Sequence, residues 1–358
     1  MGGASGSRDL SQETGYWMCQ YIPRSKYRVI PVQVTGTGAW QVPTGALATT
    51  GEVGRMMDML WEAVPAVSPY EGLQRLLAHP VEAMMTTLRG AGGDDGSLHD
   101  LGNMIGVPVL GPKPAACQQT AMKHMYPAIV GQVVGTPSGK RYRRTTPVDS
   151  IVRDARNNFV PPFFVKPAAQ EGSFGVERIM SGDEALAAIQ RARKHDDVLL
   201  QEEMGGDEVS FTLFDNDQAE VQLLPAAKVV PIKTDFYDAV AKRKEGRVAV
   251  TAMDWNETPK VRKGSEVARD LYDALDLQGL ATFDMKLTAN GPVLLDANTV
   301  PTLTRHSLLK MQLAAARLHP TLLLQRLIER ALSMDTQLAG APGLGRAVER
   351  SGWPSQPS

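Results

Sequence analysis

Apolar and polar positions alternate along the chain in runs that predict both strands and helices. In the first third, residues 27–34 and 82–90 have the composition of β-strands, and residues 50–64 have the spacing of an amphipathic helix. A short helix, a strand and a proline-rich exit follow, and they end near residue 110. This order predicts an open α/β domain over residues 1–110.

The middle of the chain predicts a second unit, in which two apolar strands flank a helix over residues 181–195. Ser181 and Glu184 have the spacing of a capping box, which favours a helix start at that point. We place this unit at residues 111–207.

Further strand-like runs and a closing helix follow, and they predict a C-terminal α+β unit over residues 208–334. Residues 335–358 are rich in Gly, Pro and Ser, and they predict a flexible tail. The overall pattern therefore indicates an α/β domain followed by two α+β units.

Composition limits the classes of function. The 358 residues contain 38 Lys plus Arg and 39 Asp plus Glu, a balance that gives no electrostatic reason to expect nucleic acid as a partner. Two cysteines without a CxxC pair argue against a disulfide framework or a structural zinc site. Because the chain has neither a signal-like N-terminus nor a long apolar run, we expect no membrane association and a cytoplasmic location.

Two acidic residues near the end of the third unit are the strongest candidates for chemistry. Asn290 and Gly291 signal a hairpin turn, and a three-residue loop centred on Asn290 places Asp284 opposite Asp296. A two-residue loop breaks this alignment. Asn298 lies two residues beyond Asp296 and therefore on the same strand face.

Two carboxylates at that spacing, about 5 Å, repel each other by roughly 3 kcal/mol at an effective dielectric constant near 20. A proton, a cation or open water has to relieve the repulsion. Two carboxylates and an amide oxygen form a donor set that Mg²⁺ prefers, with phosphates completing the coordination. A solvent-facing polar strand face would give the same pattern.

Three further features point towards a polyphosphate. Lys166 ends an apolar strand, where an unpaired ammonium is costly, and a nearby polyphosphate would stabilise it. The glycine-bearing turn at residues 172–175, which contains Ser173, can cover phosphates with backbone N–H groups, although a plain hairpin turn has the same composition. Glu208 begins a strand and can accept from ribose hydroxyls. Lys242 lies in a charged loop, which is either solvated or near phosphate.

In this order, these segments resemble the ATP-grasp superfamily and, within it, the D-alanine–D-alanine ligases. The resemblance runs from Gly2 to about Leu332. It is carried by four segments: the opening glycine loop at residues 2–11, the glycine-rich stretch and helix at 88–111, the phosphate-covering loop at 164–176, and the metal and acceptor segment at 283–309. It implies an ATP-grasp fold with an N-terminal Rossmann-like (pre-ATP-grasp) domain, and ATP between the other two units.

The resemblance also implies roles for individual residues. Lys123, Lys166, Ser173, Glu202, Glu208 and Lys242 would bind the nucleotide. Asp284, Asp296 and Asn298 would bind Mg²⁺ or Mn²⁺, with Asp296 at a position where the family more often has Glu. Lys242, Arg243 and Ser307 would be catalytic, and Ser307 with Leu308 would meet the carboxylate of the acceptor amino acid. Small amino acids would be the substrates, and a homodimer is the expected assembly.

The chain departs from the family pattern mainly around the first substrate and the oxyanion. Ser7 stands where the family has a glutamate, and Gly172 and Arg243 stand where it has a serine and a tyrosine. Thr282 replaces the oxyanion arginine, and Thr302 replaces a glycine that supplies a backbone donor. The family's histidine in the glycine-rich stretch is Arg89, and either Arg89, Arg243 or Arg305 could restore the positive charge lost at Thr282.

The sequence therefore predicts an ATP- and Mg²⁺-dependent ligase that forms a dipeptide through an acyl phosphate, as in the synthesis of peptidoglycan precursors. Two alternatives remain open. The chain could join other amino acids in a specialised pathway, or it could be an ATP-binding paralogue that has lost catalysis.

Overall fold

Helices and sheets alternate throughout the part of the chain that the structure describes. The computed structural model describes residues 1–48, 51–90, 92–168, 175–216, 218–232 and 247–338, with side chains as far as residue 333. Within these residues the strands form four sheets, of two, two, four and six strands. No helix in the same residues has the length and apolar character needed to cross a bilayer.

The N-terminal part is mostly helical, with very short strands. Its elements are α1 (Arg8–Tyr21), β1 (Gln33–Val34), β2 (Trp40–Gln41), α2 (Val53–Ala63), α3 (Pro69–Leu77), β3 (Met84–Met85), α4 (Ser97–Ile105) and β4 (Val109–Leu110). Strands β3 and β4 are parallel, and Gly2 forms a parallel bridge with Val34.

Two strands of this part are much shorter than the sequence predicted. The run 27–34 contributes only β1, and Pro31 within that run has no N–H with which to pair. The run 82–90 contributes only β3, after which the chain turns at Gly90, where φ is +75°. The helix predicted at residues 50–64 is present as α2.

The central part is a four-stranded antiparallel sheet with helices packed against it. Its elements are α5 (Pro114–Ala121), a 3₁₀ turn (Lys123–Met125), α6 (Tyr126–Ile129), β5 (Gly139–Tyr142), α7 (Val148–Asn158), β6 (Phe163–Pro167), β7 (Glu177–Ile179), α8 (Ala185–His195) and β8 (Val198–Glu202). The strand order is β5-β8-β6-β7. Ile151 of α7, Val165 of β6 and Ile189 of α8 are fully buried in the core between the helices and the sheet.

The predicted capping box at Ser181 and Glu184 does not form. Helix α8 begins at Ala185 with Glu184 as its N-cap, and the Glu184 carboxylate accepts from the Met180 backbone N–H at 2.8 Å. Ser181 lies one turn earlier, where its carbonyl accepts from the Glu184 N–H. The Glu184 side chain therefore stabilises the turn that precedes the helix.

The C-terminal part is a six-stranded sheet. Its elements are β9 (Asp207–Asp215), β10 (Val221–Leu223), β11 (Ala226–Pro231), β12 (Val248–Met253), α9 (Pro259–Ala274), β13 (Leu280–Thr288), β14 (Gly291–Asn298), α10 (Leu308–Ala315) and α11 (Pro320–Leu338). The order is β12-β11-β9-β13-β14, with β10 paired to β9. Phe211, Phe283 and Leu271 are buried between the sheet and α9. Helix α11 extends past residue 335, where the sequence predicted the tail to begin.

The first helix and the last two helices share an apolar cluster that closes one end of the sheet. Trp17 of α1 packs with Leu313 of α10 and Leu324 of α11, and Leu303 is fully buried among them. The Leu303 N–H also donates to the Thr14 hydroxyl at 3.4 Å. This cluster fixes the segment that follows β14 against the N-terminal part of the chain.

The hairpin β13–β14 combines a tight turn with a bulge. Thr288 pairs with Gly291, so the loop has two residues, and the three-residue loop expected from the sequence is wrong. Leu295 is an extra residue, because Met285 pairs with Leu294 whereas Asp284 pairs with Asp296. The bulge shifts the register by one residue and restores the predicted pairing of the two acids.

Candidate active site

Asp284 and Asp296 lie directly opposite each other on one face of the sheet. Alternate residues of β13 are buried in the core, and Asp284 belongs to the other, partly exposed set. Asn298 pairs with Thr282 and lies on the same face as Asp296. The strand periodicity therefore brings the three predicted metal ligands together.

Lys123 forms an ion pair with Asp296. Its Nζ donates to Asp296 Oδ1, and the two side chains are only 7% and 21% exposed. Tyr126 adds a second polar contact, because its hydroxyl lies 3.5 Å from the same oxygen and also accepts from the Ala297 N–H at 3.0 Å. The 3₁₀ turn and α6 therefore pack directly on β14, the strand that carries two of the candidate metal ligands.

Asn298 is connected to the segment that follows it. Its Oδ1 accepts from the Val300 N–H at 2.9 Å, and the Val300 carbonyl accepts from Arg89 Nη2. The same Nη2 donates to Thr302 Oγ1 at 2.9 Å. Arg89 is buried, and its guanidinium therefore holds residues 300–302 next to the candidate metal ligands.

Two polar pairs continue across the same sheet face. Lys286 pairs with Glu208 at 3.2 Å, two residues beyond Asp284 along β13. On the other side, the hydroxyls of Thr282 and Thr212 are 3.1 Å apart. Thr282 therefore occupies its position as a neutral hydrogen-bonding residue.

Lys166 lies in the four-stranded sheet, where its Nζ donates to Gln201 Oε1 at 2.5 Å. The two residues are on neighbouring strands β6 and β8. Glu202, at the end of β8, is exposed, and its backbone N–H donates to the Ser138 carbonyl at 2.9 Å. Gln201 was missed by the sequence reasoning, because only the pairing of β6 with β8 brings it to Lys166.

Ser307 is the N-cap of α10. Its hydroxyl accepts from the Lys310 N–H at 3.3 Å and donates to the Thr304 carbonyl at 3.1 Å. A helix N-terminus presents free N–H groups and the positive end of the helix dipole, which suits a carboxylate. Arg305, just before the cap, is exposed to solvent.

Several predicted residues lie outside the described residues. They are Gly172, Ser173, Lys242 and Arg243. Ser7, where the family has a glutamate, is buried before α1, and its carbonyl accepts from the Ser11 N–H at 2.9 Å. The described residues therefore bring together Lys123, the three candidate metal ligands and strand β9, which carries Glu208.

The donor set fits Mg²⁺ in residue type and in placement. Two carboxylates and one amide oxygen share a face, and Asn298 Oδ1 keeps a lone pair after accepting from Val300. Among the described residues no cluster of three or more His, Cys, Asp or Glu side chains is arranged to hold a metal. A cation at this site would therefore need further oxygens, such as those of phosphate.

A nearby cysteine is not a nucleophile. Cys117 of α5 is fully buried, and Thr299 Oγ1 lies 4.0 Å from its sulfur. Burial raises the pKa of the Cys117 thiol to about 11, so the thiol stays protonated at neutral pH.

Besides Gln201, sequence reasoning missed two contributors to the site, Tyr126 and Lys286. Lys286 could have been found, because it is two residues from Asp284 and so shares its face. Tyr126 carries no such signal, since its contact with Asp296 spans 170 residues of sequence.

Comparisons with known proteins identify relatives of this chain. The chain is 26% identical to a D-alanine–D-alanine ligase of Bacillus velezensis over 348 residues, which cover 92% of this chain and 96% of the relative. It is 28% identical to the vancomycin/teicoplanin A-type resistance protein VanA of Enterococcus faecium, with the same coverage.

A solved structure shares the fold. The D-alanine–D-alanine ligase of Bacillus anthracis, complexed with ATP, superposes with a TM-score of 0.66 at 20% identity, covering 94% of this chain and 97% of the ligase. A family model described as "D-ala D-ala ligase C-terminus" matches residues 140–329, which is more than half of the chain. The chain therefore belongs to the D-alanine–D-alanine ligase family, within the ATP-grasp superfamily.

Proposed function

We propose that this protein is an ATP- and Mg²⁺-dependent ligase that joins two D-alanine molecules through an acyl phosphate, in the synthesis of peptidoglycan precursors. Family membership supports an ATP-dependent ligase that forms a carbon–nitrogen bond. The single observation that carries the proposal is the placement of Asp284 opposite Asp296 on one sheet face, with Asn298 beside them.

Asp284, Asp296 and Asn298 are the residues that would hold Mg²⁺. When bound, the ion neutralises charge on the phosphates of ATP and on the phosphoryl group that is transferred. The hard oxygen donors on this face and the phosphate oxygens together form the coordination that Mg²⁺ prefers.

The nucleotide would be bound mainly by lysines. Lys166 and Lys123 carry ammonium groups on the central part of the chain. Lys166 contacts Gln201 within that part, and Lys123 contacts Asp296 of β14. We assign them, with Ser173 and Lys242, to the phosphates of ATP, and Glu202 and Glu208 to the remainder of the nucleotide. Charge developing on the γ-phosphoryl group would be stabilised by these ammonium groups.

The acceptor amino acid would bind at the N-terminus of α10. The free N–H groups there, with Ser307 as the cap, suit the carboxylate of the second amino acid. Its amine would then attack the activated carbonyl of the first amino acid, and phosphate would leave. Arg243 and Lys242 would act near this carbonyl, and exclusion of water would protect the acyl phosphate from hydrolysis.

The oxyanion side of the site is where this chain departs most from its family. Arg89 donates to Thr302, and Thr282 bonds to Thr212. We propose that Arg89 supplies, near the oxyanion, the positive charge that Thr282 does not provide. This rearrangement favours a second candidate function, in which the same ligation chemistry acts on an amino acid other than D-alanine.

We further propose that the enzyme works in the cytoplasm as a homodimer, without nucleic acid or membrane as partners. Nucleotide and free amino acids are cytoplasmic substrates, and the balanced charge of the chain gives no attraction to polyanions.

An assay with a panel of amino acids tests the proposal. The protein is incubated with ATP, Mg²⁺ and single D- or L-amino acids, and phosphate release is followed together with product mass. Phosphate that depends on D-alanine, with the dipeptide as product, supports the leading proposal. Turnover with another amino acid supports the second candidate. ATP binding without amino-acid-dependent phosphate would refute both.

A further inference from the structure

Lys123 and the two metal-ligand carboxylates form a small charge cluster. Lys123 is almost completely buried, and its ammonium donates to Asp296, which lies opposite Asp284. These three groups together carry a net charge of −1, whereas the two carboxylates without the lysine would carry −2 and match a divalent cation.

The position of Lys123 is fixed by its surroundings. The Tyr126 hydroxyl donates to the Thr120 carbonyl at 2.6 Å and accepts from the Ala297 N–H, so it ties the 3₁₀ turn and α6 to β14. A few residues later, the Gly135 carbonyl accepts from the Leu294 N–H at 2.9 Å. The segment that carries Lys123 is therefore tied to β14, and the Lys123 side chain is 7% exposed.

A buried ammonium beside a metal ligand opposes the cation that the ligand would bind. The ammonium and a divalent ion would share one carboxylate, and both are positive at a site of restricted solvent access. Nucleotide phosphates reverse the balance, because their negative charge attracts the ion and the ammonium together.

We propose that Lys123 couples metal binding to nucleotide binding: its ion pair with Asp296 weakens binding of a divalent cation until a polyphosphate is present. This inference rests on the proposed function, which identifies the site as a metal site. It adds that the cation binds tightly only when the nucleotide is present. Because coupling between two ligands is reciprocal, the cation also raises the affinity for the nucleotide by the same factor. Towards the cation, Lys123 acts through Asp296 and is not itself a ligand.

The test measures binding of Mn²⁺ to the full-length protein by electron paramagnetic resonance, without nucleotide. Lys123→Gln removes the charge but keeps a hydrogen-bond donor for Asp296, and Lys123→Arg keeps the charge. Lys113→Met is the matched control, because it removes a lysine from an exposed ion pair with Asp276, in which the two side chains are 53% and 68% exposed. Circular dichroism checks the fold of each variant.

The proposal predicts that Lys123→Gln binds Mn²⁺ about tenfold or more tightly without nucleotide, within the usual range of coupling factors. Lys123→Arg and Lys113→Met should bind it as the unmodified protein does. An unchanged or weaker affinity in Lys123→Gln would overturn the inference and leave the ligase proposal intact.

Titration of the unmodified protein with Mn²⁺ is a second test, and it does not require any variant to fold. A non-hydrolysable ATP analogue should raise the affinity for Mn²⁺ at least about tenfold. Equal affinities with and without the analogue would overturn the inference. If the protein bound no Mn²⁺ even with the analogue, the metal site would fail, and with it both the inference and the Mg²⁺-dependent part of the proposed function.

Discussion

Asp296 lies directly opposite Asp284, although the hairpin that joins their strands closes over only two residues. The bulge at Leu295 makes this possible, because it shifts β14 by one residue relative to β13. The two acids therefore share the partly exposed face of the sheet.

Removal of one acid of this pair should abolish turnover without unfolding the protein. Asp284→Asn is expected to lower turnover about a thousandfold or more, because a lost cation ligand costs several kcal/mol of transition-state stabilisation. Thermal unfolding should occur at the same or a higher temperature, since repulsion between two carboxylates is relieved. Asp276→Asn, at an exposed acid, is the control. Retained activity in Asp284→Asn would refute the metal assignment.

The sequence could predict the pairing of the two acids because strand periodicity and the Asn290–Gly291 turn are local signals. It could not predict the bulge, which compensates for the error in loop length. The ion pair of Lys123 with Asp296 joins residues 173 positions apart, and no local pattern reports such a contact. The sequence predicts β1 and β3 to be longer than they are, because β-forming composition does not show which residues pair with a neighbouring strand.

Arg89 should matter for the acceptor side of the site. Arg89→Met would leave the buried Val300 carbonyl without its guanidinium donor, a loss that costs about 1–3 kcal/mol, and would release Thr302. We expect the KM for the amino acid to rise about tenfold or more while the KM for ATP changes little. Steady-state kinetics with each substrate varied in turn checks this. Equal increases in both KM values would contradict a local role for Arg89.

The ion pair between Arg330 of α11 and Asp215 of β9 should contribute to stability. The two groups are 2.7 Å apart and are 11% and 4% exposed, and Asp215 also accepts from the Gly279 N–H. Arg330→Met should lower the free energy of unfolding by about 3–5 kcal/mol, because it leaves a buried carboxylate uncompensated. Urea unfolding measures the change. Lys113→Met, at an exposed pair, should cost less than about 1 kcal/mol.

His99 should make stability depend on pH in the weakly acidic range. Burial lowers the pKa of His99 below its usual value of 6.5, although the Leu110 backbone and the carboxylates of Asp100 and Asp95 oppose the shift. Below about pH 6.5, His99 therefore binds a proton more readily in the unfolded chain than in the folded protein. The free energy of unfolding falls as the pH falls through this range. Urea unfolding at pH 7.5 and 5.5 should show a smaller loss for His99→Gln than for the unmodified protein or for His306→Gln, at an exposed histidine. Equal losses would contradict this origin of the pH dependence.

The ligation chemistry is tested most directly by the fate of a carboxylate oxygen. D-alanine labelled with ¹⁸O in its carboxylate is incubated with the protein, ATP and Mg²⁺, and the released phosphate is examined by mass spectrometry. Attack of the carboxylate on the γ-phosphate, followed by attack of the amine on the carbonyl, leaves one ¹⁸O atom in each phosphate. Phosphate without ¹⁸O, or no phosphate that depends on the amino acid, would contradict the account.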